Sequence, residues 1–360
     1  MKTVQQFRIF LILITLPAFI FASNGIMKGK YTKEKTYHKE YNVNNDALVK
    51  IKNSYGNIEV ITWNENKVVI DVTITTNGNN EEKVINKLED INVVFEASSE
   101  LVYAKTTFEK NKSWWNWGNS NVKMNINYIV KMPITNNVDL NNDYGSINLD
   151  KLEGQASISC DYGKITTKEL MADNNSIRFD YTKNSYFEYI KSGKISADYS
   201  EFTVAKTNDI QISADYSNSN VEIAENVTYN CDYGGIAIDK VNSVNGNGDY
   251  LTVRIGDVYR DVKIKADYGS LKIKNMTENA GNITINSDYM KTTIGYSPSY
   301  SFNFKLDLEY ASLNNTEDFN FTVKNIKSSD RYYEGFYGSS KSGNSISINS
   351  DYGSVTFKKN

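Results

Sequence analysis

Apolar and polar residues alternate along much of the chain, in short blocks that end on tyrosine. In Ile210–Tyr216, Val262–Tyr268 and Ile346–Tyr352 every second residue is apolar or small. A period of two is typical of a β-strand with one buried face. A second apolar pair, as in Leu271 and Ile273, often follows after a one-residue slip in phase, commonly at Gly or Ser. Each block therefore predicts two short strands joined at a bend, where a residue without Cβ is favoured.

The blocks recur at a nearly constant spacing. Asp-Tyr occurs ten times, Glu309-Tyr310 is a variant, and Ser54-Tyr55-Gly56 is an outlying early copy. The steps from Tyr144 to Tyr310 are 18, 19, 18, 17, 17, 17, 18, 21 and 21 residues, and a step of 42, twice 21, leads on to Tyr352.

This spacing predicts a mainly β fold, a parallel β-solenoid or β-helix. Stacking buries the shared face of such segments, so equivalent strands should lie side by side in chain order. Right-handed coiling is the default for parallel strands. At about 4.8 Å per coil the rod would be roughly 50 Å long. The alternative is an antiparallel sandwich or barrel, which needs hairpin turns about every 8–12 residues.

The tyrosines are in phase with the buried positions and are therefore predicted to point inward. The residue two before each tyrosine is usually small, so the rings would lean into the space left by the small residues. Rings stacked between coils would add about 0.5–1.5 kcal/mol per pair. An exposed tyrosine ladder that grips a glycan is the functional alternative. The small residues are Asn53, Asn142, Cys160, Ala197, Ala214, Cys231, Gly248, Ala266, Ser287 and Ser350.

Residues 23–135 lack the regular spacing and predict a small α+β cap. Asn79–Ile91 has helical spacing behind Asn80, with two glutamates at its start, which is typical of a capped amphipathic helix. Strands are predicted over 57–63, 67–75, 92–95, 101–108 and 122–132. Such a cap would cover the unpaired edge of the first coil. The irregular segment 327–342 and Lys358-Lys359 would shield the far end.

The first 22 residues predict a cleaved secretory signal. Lys2 and Arg8 precede or flank an almost continuous apolar run from Ile9 to Phe21, and Ala22 offers a small exit residue. The run is shorter than the roughly 20 apolar residues of a spanning helix. We therefore expect an exported chain without a transmembrane segment, in the periplasm or at the cell surface. The predicted organisation is a signal peptide over 1–22, an α+β cap over 23–135 and a β-solenoid over 136–360.

Charge and residue usage argue against several classes of function. The formal net charge of −3 becomes about −5 without Lys2 and Arg8, and no basic block is present. Nucleic acid is therefore not expected as a partner. His38 is the only histidine in the sequence, which argues against His-based zinc sites and Ser-His or Cys-His catalytic pairs. No catalytic residue, cofactor or metal site is predicted.

The two cysteines are predicted to be free, buried thiols. Cys160 and Cys231 occupy the same register position four coils apart, hence about 19 Å apart by strand spacing. A disulfide needs Cα atoms within about 7 Å of each other.

The aspartates of the dipeptides are predicted to form an outward column. Turn amides near the following glycine, with Lys164, Lys263 and Lys265 nearby, would offset the repulsion between like charges. A ladder of bound Ca²⁺ is the alternative. A regular column gives every aspartate similar surroundings, whereas a glycosidase needs two carboxyl groups in different roles.

Three tryptophans form the predicted binding site. Trp114, Trp115 and Trp117 lie among Asn, Ser and Gly between two predicted strands. Aromatic side chains exposed on a loop often mark a surface that stacks on sugars or inserts at a membrane interface. The alternative is that they fold back and seal the cap against the first coil.

Three segments resemble a family of bacterial envelope proteins with β-strand repeats, known as candidate adhesins and built on a domain of unknown function. The segments are Ile51–Trp63, the helix near Glu81–Ile91, and Tyr128–Pro133 leading into Asp143–Ile147. The resemblance implies export, a β-solenoid and adhesion, and it carries over no catalytic residue.

The predicted function is a non-enzymatic, exported binding or scaffold protein, an adhesin whose partner is a glycan or a cell-surface component. One alternative is a carbohydrate-active β-helix enzyme, either a polysaccharide lyase or a hydrolase. The other is a periplasmic signalling or stress-response component. The coils from Tyr144 to Tyr310 are too short to leave the long loops that usually build a catalytic groove, which favours binding.

Overall fold

In a computed structural model that describes residues 27–109 and 121–360, the protein is mainly β. These residues form 25 strands, joined in one open sheet, and one helix. The prediction of a mainly β protein is therefore confirmed.

The N-terminal part combines strands with the helix. The elements are β1 Tyr31–Asn42, β2 Leu48–Ser54, β3 Ile58–Trp63, β4 Lys67–Gly78, α1 Glu81–Glu89, β5 Ile91–Ala97, β6 Leu101–Phe108 and β7 Lys123–Pro133. The Asn80 side chain caps α1 by accepting a hydrogen bond from the backbone N–H of Lys83 at 3.0 Å. Val84 is the residue that α1 buries. The predicted capped helix is confirmed.

The middle of the chain contains the regularly spaced segments. Its strands are β8 Asn137–Asp143, β9 Ser146–Leu149, β10 Ala156–Asp161, β11 Lys164–Leu170, β12 Asn175–Asp180, β13 Ser185–Asp198, β14 Glu201–Asp215, β15 Asn218–Asn230, β16 Gly234–Asn247, β17 Leu251–Val258, β18 Val262–Met276 and β19 Ile283–Tyr296. Neighbouring Asp-Tyr segments pair in parallel and in register, so that Asp161 lies between Asp143 and Asp180. The antiparallel alternative is wrong for these strands.

The early Tyr55 segment joins the same stack. β2 pairs in parallel with β8, and β3 pairs in parallel with β9. On their other side β2 and β3 pair in parallel with β6 and β7, after which β5, β4 and β1 continue the sheet in antiparallel pairs. The Tyr55 segment therefore lies directly beside the Tyr144 segment despite the long stretch of chain between them.

The C-terminal strands do not follow chain order. They are β20 Phe302–Glu309, β21 Ser312–Asn314, β22 Asn320–Lys327, β23 Asp330–Tyr337, β24 Ser345–Asp351 and β25 Ser354–Lys359. β24 lies between β19 and β20, and β25 lies between β19 and β21. The expected position of Tyr352 beyond Tyr310 is therefore wrong. The predicted irregular structure over 327–342 is also wrong, because β22 and β23 form an antiparallel hairpin. This hairpin does lie along the outer edge of β20, at the end of the array where a shield was predicted.

Every second residue along the strands contributes to the buried core. Ile210, Ile212 and Ala214 are buried, as the alternation predicts. Cys160 and Cys231 are buried and free, which confirms the predicted unpaired thiols. Burial raises the pKa of both thiols to about 12. Among the residues that the structure describes, no helix has the length and hydropathy needed to cross a membrane.

Candidate functional site

The tyrosines of the Asp-Tyr segments point outward, so their predicted inward orientation is wrong. Tyr216 is 52% exposed, whereas Ala214 two residues earlier is buried. The backbone at these tyrosines has φ between 49° and 64°, in the left-handed region that bulky residues rarely adopt. A left-handed residue interrupts the alternation of the strand. The bend therefore carries the ring away from the buried face, while the preceding small residue stays inside.

Glycine has a different role at this bend from the one predicted. Gly145 follows Tyr144 but does not itself have a positive φ. A Cβ placed on Gly145 would approach the carbonyl oxygen of Gly56 to 1.8 Å. Gly145 therefore allows the Tyr55 and Tyr144 segments to approach closely, while the tyrosine itself makes the bend.

Twelve of these tyrosines form one continuous stack, which we call the tyrosine ladder. Neighbouring ring centroids are 4.8–5.1 Å apart, and neighbouring ring planes differ by 1–6°. At this spacing the ladder runs for about 50 Å. Its members in spatial order are Tyr55, Tyr144, Tyr162, Tyr181, Tyr199, Tyr216, Tyr233, Tyr250, Tyr268, Tyr289, Tyr352 and Tyr310.

The ladder offers ring edges and hydroxyls to solvent, not ring faces. Each interior ring, such as Tyr216, has a stacked neighbour on both faces, Tyr199 and Tyr233, each at 4.9 Å. At the Tyr55 end the ring of Phe108 approaches edge-on at 6.1 Å. A sugar therefore cannot stack on a face inside the ladder without separating two rings. Binding along its length has to use the edges and the hydroxyl groups.

A column of carboxylates runs beside the ladder and is tied together through the backbone. The Oδ1 atom of Asp161 accepts a hydrogen bond from the backbone N–H of Asp180 at 3.2 Å, and that of Asp232 accepts one from Asp249 at 2.8 Å. The contact repeats from Asp180 through Asp288. Amides do offset the like charges, as predicted. The donor, however, is the next aspartate and not a turn amide near the glycine.

Metal-binding geometry and lysine pairing are not seen along this column. Within residues 27–109 and 121–360, no group of three or more His, Cys, Asp or Glu side chains is arranged to hold a metal ion. In the same part of the chain the column has no ion pair with Lys164, Lys263 or Lys265. An ion pair does join Arg178 to Asp180, at 3.7 Å.

The hydroxyls of Tyr162, Tyr233 and Tyr268 remain protonated at neutral pH. Desolvation, followed by neighbouring tyrosines, raises the pKa of Tyr162, Tyr233 and Tyr268 above its ordinary value near 10. Burial, with a contribution from Asp161, raises the pKa of the Asp143 carboxyl. Among the described residues, no ladder hydroxyl has a hydrogen-bond partner. The surface is therefore a row of phenol hydroxyls, which can donate and accept hydrogen bonds, beside a row of aspartate carboxyl groups.

A polar groove lies at the far ends of the strands that lead to the ladder. It has a volume of about 420 Å³, and its lining includes Asp173, Ser192, Asp209 and Asn226. The Asn226 amide donates to Asp209 at 2.7 Å, and Lys191 forms an ion pair with Asp173 at 2.9 Å. These side chains satisfy one another, so the groove offers fewer free groups than the ladder does.

The predicted tryptophan site stays a prediction. Trp114, Trp115 and Trp117 fall in 110–120, outside the residues that the structure describes. The ladder was considered from the sequence only as an alternative. From the sequence, the small residue two positions before most of these tyrosines is interpreted as room for an inward ring, whereas a residue such as Ala214 occupies the buried position by itself.

Comparison with known proteins gives low similarity throughout. No protein-family model and no curated protein matches the chain. Among solved structures, a "putative adhesin" from Parabacteroides merdae shares 12% identity over 90% of this chain and 97% of its own, with a TM-score of 0.35. A "putative cell adhesion protein" from Clostridium sporogenes shares 12% identity over 91% of this chain and 100% of its own, with a TM-score of 0.19. A "putative lipid binding protein" from Parabacteroides distasonis shares 12% identity over 90% of this chain and 97% of its own, with a TM-score of 0.32.

The names of the first two structures match the adhesin resemblance found in the sequence. At TM-scores below 0.5 the superpositions support neither a shared fold nor a shared function. The case for function therefore depends on the ladder itself.

Proposed function

We propose that this protein is a non-enzymatic, exported adhesin that binds an extended polysaccharide along the tyrosine ladder. The observation that carries the proposal is a row of exposed tyrosines with ring centroids 4.8–5.1 Å apart, whose hydroxyls have no hydrogen-bond partner among the described residues. A surface that repeats one group many times suits a ligand that also repeats one unit many times. Each contact can be weak while the sum over the array is strong.

Hydroxyl chemistry favours a carbohydrate ligand. A protonated phenol donates one hydrogen bond and accepts others, which suits the hydroxyl groups of a sugar chain. The carboxylates beside the ladder, such as Asp198, Asp215 and Asp232, accept further hydrogen bonds and repel anions. We therefore expect neutral polysaccharides to bind more tightly than polyuronates or sulfated chains.

The proposed architecture is a rod suited to this task. We propose that residues 136–360 wind as a right-handed parallel β-solenoid, with an α+β cap over 23–135. The parallel register of consecutive segments supports the winding, and α1 with the antiparallel strands β1, β4 and β5 supports the cap. A stacked array of this kind keeps its binding groups at fixed spacing, which reduces the ordering that binding would otherwise require.

We also propose export to the periplasm or cell surface, directed by the predicted signal over 1–22. Its expected partner is a glycan or another cell-surface component, not nucleic acid. The tryptophans at 114, 115 and 117 remain a second predicted contact with such a partner.

The uniform aspartate column argues against a glycosidase or lyase. Most of its members share one hydrogen-bonding arrangement, whereas hydrolysis needs two carboxyl groups with separate roles. Burial, followed by the neighbouring Asp161, raises the pKa of the Asp143 carboxyl. Release of reducing or unsaturated sugars from a polysaccharide panel, abolished by Asp143→Asn, would contradict the proposal.

The test removes hydroxyls while keeping the stack. In the triple variant Tyr199→Phe, Tyr216→Phe, Tyr233→Phe the rings remain and three adjacent hydroxyls are lost. At about 0.5–1.5 kcal/mol per hydrogen bond, we expect affinity for a neutral polysaccharide to fall at least about tenfold. Binding is measured on a panel of immobilised neutral, acidic and amino-bearing polysaccharides.

The matched control is Tyr186→Phe with Tyr259→Phe, two tyrosines about 40% exposed that lie outside the ladder. The control should bind like the unmodified protein. Equal affinity of the triple variant and the control would refute the ladder as the binding surface. No binding by the unmodified protein to any member of the panel would refute the polysaccharide proposal itself.

A further inference from the structure

The segment Ser345–Lys359 is seated between two strand sets that precede it in the chain. β24 pairs with β19 on one side and with β20 on the other, in parallel on both sides. β25 pairs with β19 along six residues and with β21 along three. Tyr289 and Tyr310 are successive ladder tyrosines along the chain, yet Tyr352 lies between them in the ladder. Before this segment is seated, β19 and β20 face each other across a gap one strand wide.

The gap favours one particular occupant, because it needs both backbone hydrogen bonds and apolar side chains to fill it. Both of its walls present unpaired backbone groups when it is empty, and these have to be satisfied. The segment also buries Ile346, Ile348, Val355 and Phe357. At about 1.5–3 kcal/mol for each large apolar side chain, the gap strongly favours being filled. A segment of this sequence fits it, whichever copy of the chain supplies the segment.

The linker that precedes Ser345–Lys359 is long enough for the segment to enter a neighbouring molecule. Residues 338–344 form an exposed or half-buried linker between β23 and β24. Fully extended, seven residues reach about 23–25 Å. The linker is held by Ser301 and Asn303. The Ser301 carbonyl oxygen accepts from the Ser342 hydroxyl at 2.6 Å and from the Asn344 amide at 3.2 Å. Asn303 donates its side-chain amide to the Ser342 carbonyl oxygen at 2.8 Å and its backbone N–H to that of Asn344 at 2.9 Å. Breaking these few contacts frees the segment to enter a neighbouring molecule.

We propose that the gap between β19 and β20–β21 is an interface for a second copy of this chain, which exchanges Ser345–Lys359 reciprocally. The exchanged dimer makes the same strand pairs and buries the same side chains as the monomer, so the two differ mainly in the linker. Reciprocal exchange closes with two-fold symmetry and leaves no gap unfilled. The balance is then set by protein concentration against the effective concentration of the tethered segment.

The test places one cysteine on each of two copies. Ser287 and Ser350 are register partners across β19 and β24, both buried, with their Oγ atoms 3.3 Å apart. In a background with Cys160→Ala and Cys231→Ala, one full-length chain carries Ser287→Cys and the other carries Ser350→Cys. The two are unfolded together, refolded at high concentration and oxidised. A disulfide-linked heterodimer on a non-reducing gel is expected, in a yield that increases with concentration.

The control uses the same position in an ordinary part of the array. Ala197 and Ala214 are also buried register partners two residues before ladder tyrosines, on consecutive segments. Chains carrying Ala197→Cys and Ala214→Cys, treated identically, should give no heterodimer. No heterodimer from the Ser287 and Ser350 pair, or equal yields from the two pairs, would overturn the proposal.

A second measurement does not depend on cysteine. Deleting Gly338–Asn344 joins Tyr337 directly to Ser345, two residues that pair with opposite sides of β20, at Phe302 and Asn303. They lie about 10 Å apart by two strand spacings, whereas adjacent Cα atoms are about 3.8 Å apart. The deletion should therefore prevent the segment from reaching its own gap and leave a neighbour's gap within reach. We expect light scattering to report dimers of the shortened full-length chain and monomers of the unmodified chain at the same low concentration. A folded monomer of the shortened chain would contradict exchange.

Discussion

The tyrosine ladder makes a quantitative prediction about Tyr216. Its ring stacks on Tyr199 and on Tyr233, each with centroids 4.9 Å away and planes within 3° of parallel. An aromatic pair contributes about 0.5–1.5 kcal/mol beyond the burial of its area. Tyr216→Ala removes both pairs, so the free energy of unfolding should fall by about 1–3 kcal/mol.

Three companion variants separate stacking from other effects. Tyr216→Phe keeps both stacked pairs and should change stability by no more than about 0.5 kcal/mol, the usual range for surface substitutions. Tyr216→Gly loses the pairs but relieves the left-handed backbone at φ 52°, which costs a non-glycine residue about 1–2 kcal/mol. It should therefore be less destabilising than Tyr216→Ala. Tyr310 ends the ladder with one stacked neighbour, Tyr352, so Tyr310→Ala should cost about half as much.

The assay is urea unfolding followed by far-ultraviolet circular dichroism. Stacked arrays can unfold in more than one step, so midpoints are compared only among variants with the same slope. Equal destabilisation by Tyr216→Phe and Tyr216→Ala would refute stacking as the source of the energy. A loss at Tyr310 as large as that at Tyr216 would refute the dependence on neighbour number.

Three further predictions concern other parts of the molecule. Cys160 and Cys231, buried and with pKa raised to about 12, should react with DTNB only on unfolding and then release two thiols without reductant; a fast reaction of the folded protein would contradict this. The hydrogen bond from His38 to Asp71, 2.5 Å long, raises the pKa of His38 above 6.5, so its stabilisation is full below about pH 6.5 and is lost as pH rises through the raised value. His38→Gln should therefore flatten the fall in Tm between about pH 6 and pH 8, by a small amount because the pair is exposed, and an unchanged pH profile would count against it. Phe357→Ala should cost about 3–5 kcal/mol, the usual range for a buried phenylalanine, and a loss below 1 kcal/mol in urea unfolding would show that β25 is not firmly seated.

Sequence reasoning reached the spacing of the array but not the direction of its tyrosines. Alternation assumes that every residue of a strand has extended backbone, and on that assumption Tyr216 belongs with Ile212 and Ala214 inside. A left-handed residue breaks that assumption, and a bulky residue is the last one expected to adopt it. The pair contacts along the ladder offset that backbone cost, and they exist only once neighbouring segments are stacked.

The spatial order of the C-terminal segments could not be predicted from the sequence either. A step of 42 from Tyr310 to Tyr352 equals two ordinary steps, which is compatible with continuation of the array. Strands β22 and β23 instead turn back as a hairpin along β20, so the chain returns on the inner side of Tyr310. The position of Ser345–Lys359 is set by its pairing with β19 and β20, which lie far from it in sequence, so local sequence does not reveal it.

The aspartate column was predicted in position but not in bonding. Its regular spacing follows directly from the repeated dipeptide. The donor to each carboxylate is the backbone N–H of the next aspartate, as between Asp232 and Asp249. That contact depends on the offset between adjacent strands at the bend, which sequence spacing does not define.

The central claim is that ligand lies along the outward edges of the ladder. Hydroxyl-radical footprinting with mass spectrometry measures this tyrosine by tyrosine, in the free protein and with saturating neutral polysaccharide. We expect ladder tyrosines such as Tyr199, Tyr216 and Tyr233 to be labelled in the free protein and protected as a contiguous run in the complex, while Tyr186 and Tyr259 stay unchanged. Protection confined to residues away from the ladder, with Tyr199 to Tyr233 still labelled, would contradict the claim.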